Sequence, residues 1–185
     1  MNPGARRADA TELLSLLVAA GRTIAVAESL TGGDLTASLV QVPGASRALR
    51  GGVVAYATDL KEVLLDVPHA LLEEHGAVHP EVAVAMAQGV RARLGADYGL
   101  ATTGVAGPDP QGAHRPGTVY VAVADDLSEE VVSLAPGAGA SPSTRDEIRA
   151  AACREALALA LSRVRARDGG GNRGTGATPG ALDQT

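Results

Sequence analysis

Three short stretches carry residue types that can do chemistry: "ESLTGG" (28–33), "YATDLK" (56–61) and "TTGVAGPDPQG" (102–112). Ser29 stands where an apolar strand pattern gives way to a helical one, with Thr31, Gly32 and Gly33 directly after it. Small residues and unpaired amides at such a turn suit a phosphate group. They equally suit a serine nucleophile with an oxyanion hole beside it. The plainer alternative is that Ser29 or Thr31 only caps the helix. Lys61 is the lone lysine of the chain, every other basic position being arginine. Lysine can release a proton near neutral pH and arginine cannot. With Thr58 as N-cap, Lys61 falls at the third helical position, where a capping box favours Glu and the helix dipole disfavours a cation. It therefore reads either as an amine kept for its titration or as a surface lysine in an arginine-rich composition.

The third stretch opens a loop too long and glycine-rich for a tight connection, so it is either functional or a mobile surface loop. Thr103 and the amides of Gly104, Ala106 and Gly107 could hold a phosphate or a carbonyl oxygen. Neither the spacing of a dinucleotide fingerprint nor that of a Walker loop is present. Arg145 in "SPSTRDEIRA" opens the last helical segment, again a cation at a helix start, placed either to meet an anionic ligand or to be neutralised by Asp146 and Glu147. His69, His75 and His79 cluster with Glu73, Glu74 and Glu81, but Gly76 interrupts helical spacing between His75 and His79, and no metal site is expected there. Asp125, Asp126, Glu129 and Glu130 read as a solvated hairpin.

These stretches follow strands. Hydrophobic periodicity predicts strands at 23–28, 51–57, 97–104, 118–124 and 129–135. Helices are expected at 9–20, 31–42, 59–65, 68–74, 80–94 and 143–166. Alternating strands and helices imply an α/β fold, a three-layer α/β/α sandwich on a mostly parallel mixed sheet, whose ligands bind beyond the carboxyl ends of the strands. One domain is expected over 1–167, with a disordered glycine-rich tail over 168–185.

Composition narrows the functions. The chain has 185 residues, a net charge of −5, 2% aromatics and no Phe or Trp. No basic stripe with interleaved aromatics appears, so nucleic acid is not the expected partner. A single cysteine, Cys153, rules out an internal disulfide and points to the cytoplasm. The apolar run at 13–20 is short and flanked by Asp9 and Glu12, which reads as an amphipathic helix rather than a signal peptide, and no run is long enough to span a bilayer.

Taken together, "AESLTGG", "GGVVAYATDLK", "HGAV" and "TTGVAGPD…RPGTVYVAVA" resemble the CinA C-terminal-domain family, the nicotinamide-nucleotide amidohydrolases, over roughly residues 13–165. The resemblance implies hydrolysis of the carboxamide of nicotinamide mononucleotide to nicotinate mononucleotide and ammonia, with no metal or other cofactor. It implies Ser29 as nucleophile, Lys61 as its base, Tyr56 and Ser46 as supporting polar residues, Thr103 as the Ser/Thr of the third motif, and Arg145 near the nucleotide. Thr31, Gly32, Gly33, Gly104, Ala106 and Gly107 would bind the 5′-phosphate and line the oxyanion hole. The length leads to the expectation of a stand-alone deamidase, and the resemblance implies a homodimer or larger. Three positions depart from the family pattern: Leu30 replaces a common Cys, His79 a usual Ser, and "TDLK" the usual S-N-x-x-K. These departures keep a second class of reading open, a non-catalytic nucleotide-binding or assembly module of the same fold. A magnesium-dependent phosphotransfer enzyme is the third.

Overall fold

The computed structural model describes residues 3–134 and 144–170. Its elements run α1 (Pro3–Ala19), β1 (Ile24–Glu28), α2 (Asp34–Val40), a 3-10 turn (Ala45–Arg47), β2 (Leu49–Val54), α3 (Thr58–Leu65), α4 (His69–His75), α5 (Pro80–Leu94), β3 (Tyr98–Gly104), β4 (Val119–Ala124), β5 (Glu129–Leu134) and α6 (Arg145–Gly170). The strand order is β2-β1-β3-β4-β5. β1 lies parallel to β2 and β3, and β4 and β5 add antiparallel strands. The mixed sheet with helices on both faces is the α/β sandwich expected from the alternation of patterns. α6 continues through Gly170, so residues 168–170, expected in the tail, are helical. Residues 171–185, the expected strand end Ala135 and the expected helix start Ser143 lie outside the described residues.

The two faces of the sheet are built from different residues. On β1, Ile24 and Val26 join a cluster with Leu13, Leu17 and Leu157 of α1 and α6, while Ala25 and Ala27 face Val82, Met86 and Val90 of α5. β4 repeats this, with Val119, Val121 and Val123 on the first face and Ala122 and Ala124 on the second. Period-2 alternation of large and small residues thus assigns each face its partner. The alanine face lets α5 approach closely. A Cβ added at Gly99 of β3 would lie 1.9 Å from the carbonyl oxygen of Ala87, and one at Gly89 of α5 1.8 Å from that of Leu65. Close backbone approach replaces the bulk that aromatic side chains supply elsewhere.

The β4–β5 turn is held more firmly than a solvated hairpin. Asp125 is buried, accepts from the amides of Leu127 and Ser128 at 2.8 and 3.1 Å, and receives the Arg163 guanidinium at 2.9 and 3.1 Å. Asp126 pairs with Arg167. Glu129 and Glu130 are exposed as expected.

Gly89 sets the distance between α5 and the end of α3, and hence the seat of Lys61. Gly89→Ala should lower stability by about 1–3 kcal/mol through overpacking, measured by urea unfolding. The same change at an unobstructed helix position would stabilise by up to about 1 kcal/mol, so the sign of the effect tests the contact.

Candidate active site

The parallel register brings the three chemical stretches together before any side chain is considered. Glu28 is level with Val54 of β2 and Thr102 of β3. The next residues along each strand, Ser29, Ala55 and Thr103, therefore meet at one edge of the sheet. The Ser29 amide donates to the Thr102 carbonyl at 3.0 Å, and the Ala55 amide to that of Glu28 at 2.9 Å.

Lys61 comes to this edge from α3. Ala57, not Thr58, is the N-cap, with no side-chain cap, so Thr58 is the first helical residue and Lys61 the fourth. This corrects the expected cap by one residue. A further fraction of a turn swings the lysine inward, where it is 0% exposed. Its Nζ lies 3.1 Å from Ser29 Oγ, 2.9 Å from the Ala55 carbonyl oxygen and 3.4 Å from that of Tyr56. Burial pushes its pKa down to about 8, the nearby Asp59 opposing the shift. The three contacts accommodate both protonation states. An ammonium donates to all three oxygens. A neutral amine donates to the two carbonyls and turns its lone pair to the Ser29 hydroxyl.

Ser29 and Lys61 open into a cleft of about 360 Å³. Tyr56, Thr103, Gly104, Ala106, Gly107 and Arg145, all named from the sequence, line it with them. The Thr103 hydroxyl donates to the Ala77 carbonyl at 2.6 Å, tying the loop before α5 to the cleft wall. Exposed at the mouth, Arg145 donates to the Gly107 carbonyl at 2.6 Å and to the Tyr56 hydroxyl at 2.9 Å.

Four expected binding residues stand elsewhere. Thr31, Gly32 and Gly33 do not line the cleft. Gly32 and Gly33 have φ of 59° and 103°, so the helix expected from residue 31 starts only at Asp34. Thr31 is buried, its hydroxyl bonded to that of Thr102 at 2.8 Å. Ser46 is exposed in the 3-10 turn that precedes β2, at the end of the sheet opposite the cleft, because a parallel strand separates it from Tyr56.

Glu28 explains why the glycine turn is no phosphate cradle. Its carboxylate is 0% exposed and accepts from the amides of Gly33, Leu35 and Thr36 at 2.9, 3.1 and 2.8 Å, and from the Thr36 hydroxyl at 2.6 Å. The positive end of α2 is already filled by an anion of the chain. Neither Ser29 nor Thr31 caps it. Sequence reasoning passed over Glu28 because its helix partners lie five to eight residues away; an acidic residue ending an otherwise apolar strand was the available signal. Asp109 and Gln111, which also line the cleft, carried no pattern of their own.

His75 and His79 meet despite Gly76. Their rings stack at 3.9 Å between centroids and 7° between planes, with Glu81 in reach. His79 Nδ1 accepts from the Glu81 amide at 3.4 Å as the N-cap of α5.

Burial of Lys61 has a consequence for stability. Between pH 8 or so and the unperturbed value of 10.5, the unfolded chain holds a proton that folded Lys61 has released. Stability therefore rises with pH across that window. Urea unfolding of the parent chain and of Lys61→Met should diverge there, the parent gaining stability relative to the variant as pH increases.

The CinA C-terminal domain profile matches residues 7–164. A CinA-like protein of Gloeobacter violaceus is 50% identical over 146 residues, 78% of this chain and 34% of that protein. A CinA-like protein of Frankia casuarinae is 56% identical over 112 residues, 60% of this chain and 26% of that protein. The chain thus spans roughly a third or less of the length of these curated relatives. Among solved structures, the competence/damage inducible protein CihA of Agrobacterium tumefaciens superposes with a TM-score of 0.81 at 30% identity, covering 89% of this chain and 98% of that one. A CinA superfamily protein of Klebsiella pneumoniae gives 0.80 at 26% identity, covering 87% and 98%. With the profile spanning all three strand-end stretches and the sheet superposing on these structures, the chain belongs to the CinA C-terminal domain family.

Proposed function

We propose that the chain is a serine–lysine amidase that hydrolyses the carboxamide of nicotinamide mononucleotide. The observation that carries this reading is the 3.1 Å contact between Lys61 Nζ and Ser29 Oγ at the floor of a polar cleft. No ion pair to Lys61 exists among the described residues, and burial brings its pKa to about 8, so a useful share of the amine is neutral near physiological pH.

Neutral Lys61 takes the Ser29 proton while Oγ bonds to the carboxamide carbon, and the carbonyl electrons move onto oxygen. Backbone amides around Ser29 and in the 104–107 loop stabilise that oxyanion. The intermediate collapses as Lys61 returns the proton to the amide nitrogen. The C–N bond breaks and ammonia leaves an acyl ester on Ser29. Water then attacks the ester, Lys61 accepts its proton, and Ser29 is released with it as nicotinate mononucleotide departs. Arg145 at the cleft mouth supplies the cation for the substrate's 5′-phosphate. The start of α2 does not supply it, because Glu28 occupies the amides of Gly33, Leu35 and Thr36.

Purified protein incubated with nicotinamide mononucleotide should release ammonia, measured by a coupled assay; folded protein that releases none refutes the reading. Lys61→Arg keeps the charge but not the titration, and should lose at least about a hundredfold in kcat, the usual scale of general-base catalysis. The pH profile of kcat/KM should climb through about 8 and level off above it, since the neutral amine is the active form. A profile flat from pH 6 to 9 would remove Lys61 from the role of base.

A further inference from the structure

Ser29 sits at the start of a five-residue turn before α2, and the shape of that turn decides which backbone amides face a bound carbonyl. The Ser29 carbonyl oxygen accepts from the Gly32 amide at 3.1 Å. Across a trans peptide, the Leu30 N–H of the same unit points the opposite way. Leu30 lines the cleft, and its N–H has no acceptor among the described residues. The amide that follows the nucleophile is the usual oxyanion donor at a strand-to-helix serine.

The next peptide units are held from behind by one side chain of α6. Arg149 Nε donates to the Leu30 carbonyl at 3.2 Å, and Nη2 to the Thr31 carbonyl at 2.8 Å. Asp34 steadies the guanidinium at 2.7 Å, and Asp146 stands at 3.9 Å. One planar fork spanning two successive carbonyls is a task for arginine that a lysine point charge does not reproduce. Turning both carbonyls toward Arg149 turns the Thr31 N–H away from it, and polarising them strengthens the donors of the same peptide units. Arg149 lies one helical turn beyond Arg145, so one face of α6 grips the Ser29 turn, the Gly107 loop and Tyr56 together.

We propose that Arg149 is a positioning residue that locks the Ser29 turn in the shape presenting the Leu30 amide to the reacting group. The inference rests on the amidase reading for its chemistry but not for its substrate, and a fluorophosphonate probe tests it without any nucleotide. Ser29 Oγ forms the P–O bond, fluoride leaves, and the hydroxyl proton passes to Lys61; intact mass follows the labelling. Arg149→Lys should label about tenfold to a hundredfold more slowly, the cost of losing or displacing an oxyanion donor. Its pH midpoint should stay near that of the parent, because Arg149 does not touch Lys61. With nicotinamide mononucleotide, kcat should fall by a similar factor and KM should hold within about twofold, as expected of an interaction made in the transition state. Asp34→Asn, a change at a half-exposed partner, should slow labelling severalfold with the fold intact, and it decides alone if Arg149→Lys does not fold. Labelling of both variants at the parent rate, or slowing only in proportion to lost folded protein, overturns the proposal. Parent protein labelled at Ser29 yet releasing no ammonia overturns the substrate assignment and leaves the role of Arg149 standing. Ser29 unlabelled in the parent overturns both.

Discussion

A lysine amine removed from water and surrounded by neutral oxygens is the constraint around which the rest of the molecule is arranged. Lys61 is fully buried, its near partners are a hydroxyl and two carbonyls, and desolvation outweighs the pull of Asp59. An ammonium there is disfavoured and a neutral amine is accommodated. Keeping the amine there requires α3 to lie against α5, which in turn requires a residue without a Cβ at position 89. The first turn of α3 must begin at Ala57 so that its fourth residue faces inward.

The opposite arrangement holds one residue before Ser29. Glu28 is as buried as Lys61, but its charge is met by three amides and a hydroxyl at the start of α2. Charge-assisted bonds of this kind stabilise an ionised carboxylate where an unpaired one would be costly. The fold thus separates an amine of lowered pKa facing the cleft from a satisfied carboxylate behind it. The α2 terminus becomes a brace for Ser29, and the exposed guanidinium of Arg145 stands at the mouth of the cleft.

The sheet makes this placement possible with almost no aromatic residues. Valine, leucine and isoleucine on one face fill the space beneath α1, α2 and α6, whereas alanine and glycine on the other allow backbone contact with α5. Shallow packing on the α5 side brings α3 and the 77–78 loop close enough to wall the cleft, with Thr103 bridging to Ala77.

Much of this was legible in the linear chain. Period-2 and helical patterns located every strand and α-helix among the described residues, because burial on one face or two leaves its mark directly on residue type; α1 starts at Pro3 rather than Asp9, and the 3-10 turn at 45–47 was not foreseen. Ser29, Lys61, Thr103 and Arg145 stood out by local chemistry at strand and helix ends, Tyr56 by the family resemblance, and all of them reach the cleft. What local reasoning mistook was whatever depended on groups distant in sequence or on backbone direction. Gly32 and Gly33 looked like a cradle because the carboxylate filling that helix end belongs to the preceding strand. Ser46 was expected at the site only through the family resemblance, but a strand carries the chain across the whole sheet between it and Tyr56. Asp125 looked solvated because its partners Arg163 and Arg167 come from the far end of α6. The sequence by itself determined the elements, the two-faced core and the candidate side chains of the site, since these follow from periodicity and residue chemistry. Tertiary structure alone decided that Lys61 meets Ser29 at 3.1 Å and loses its proton readily, since both depend on strand register and on exclusion of water.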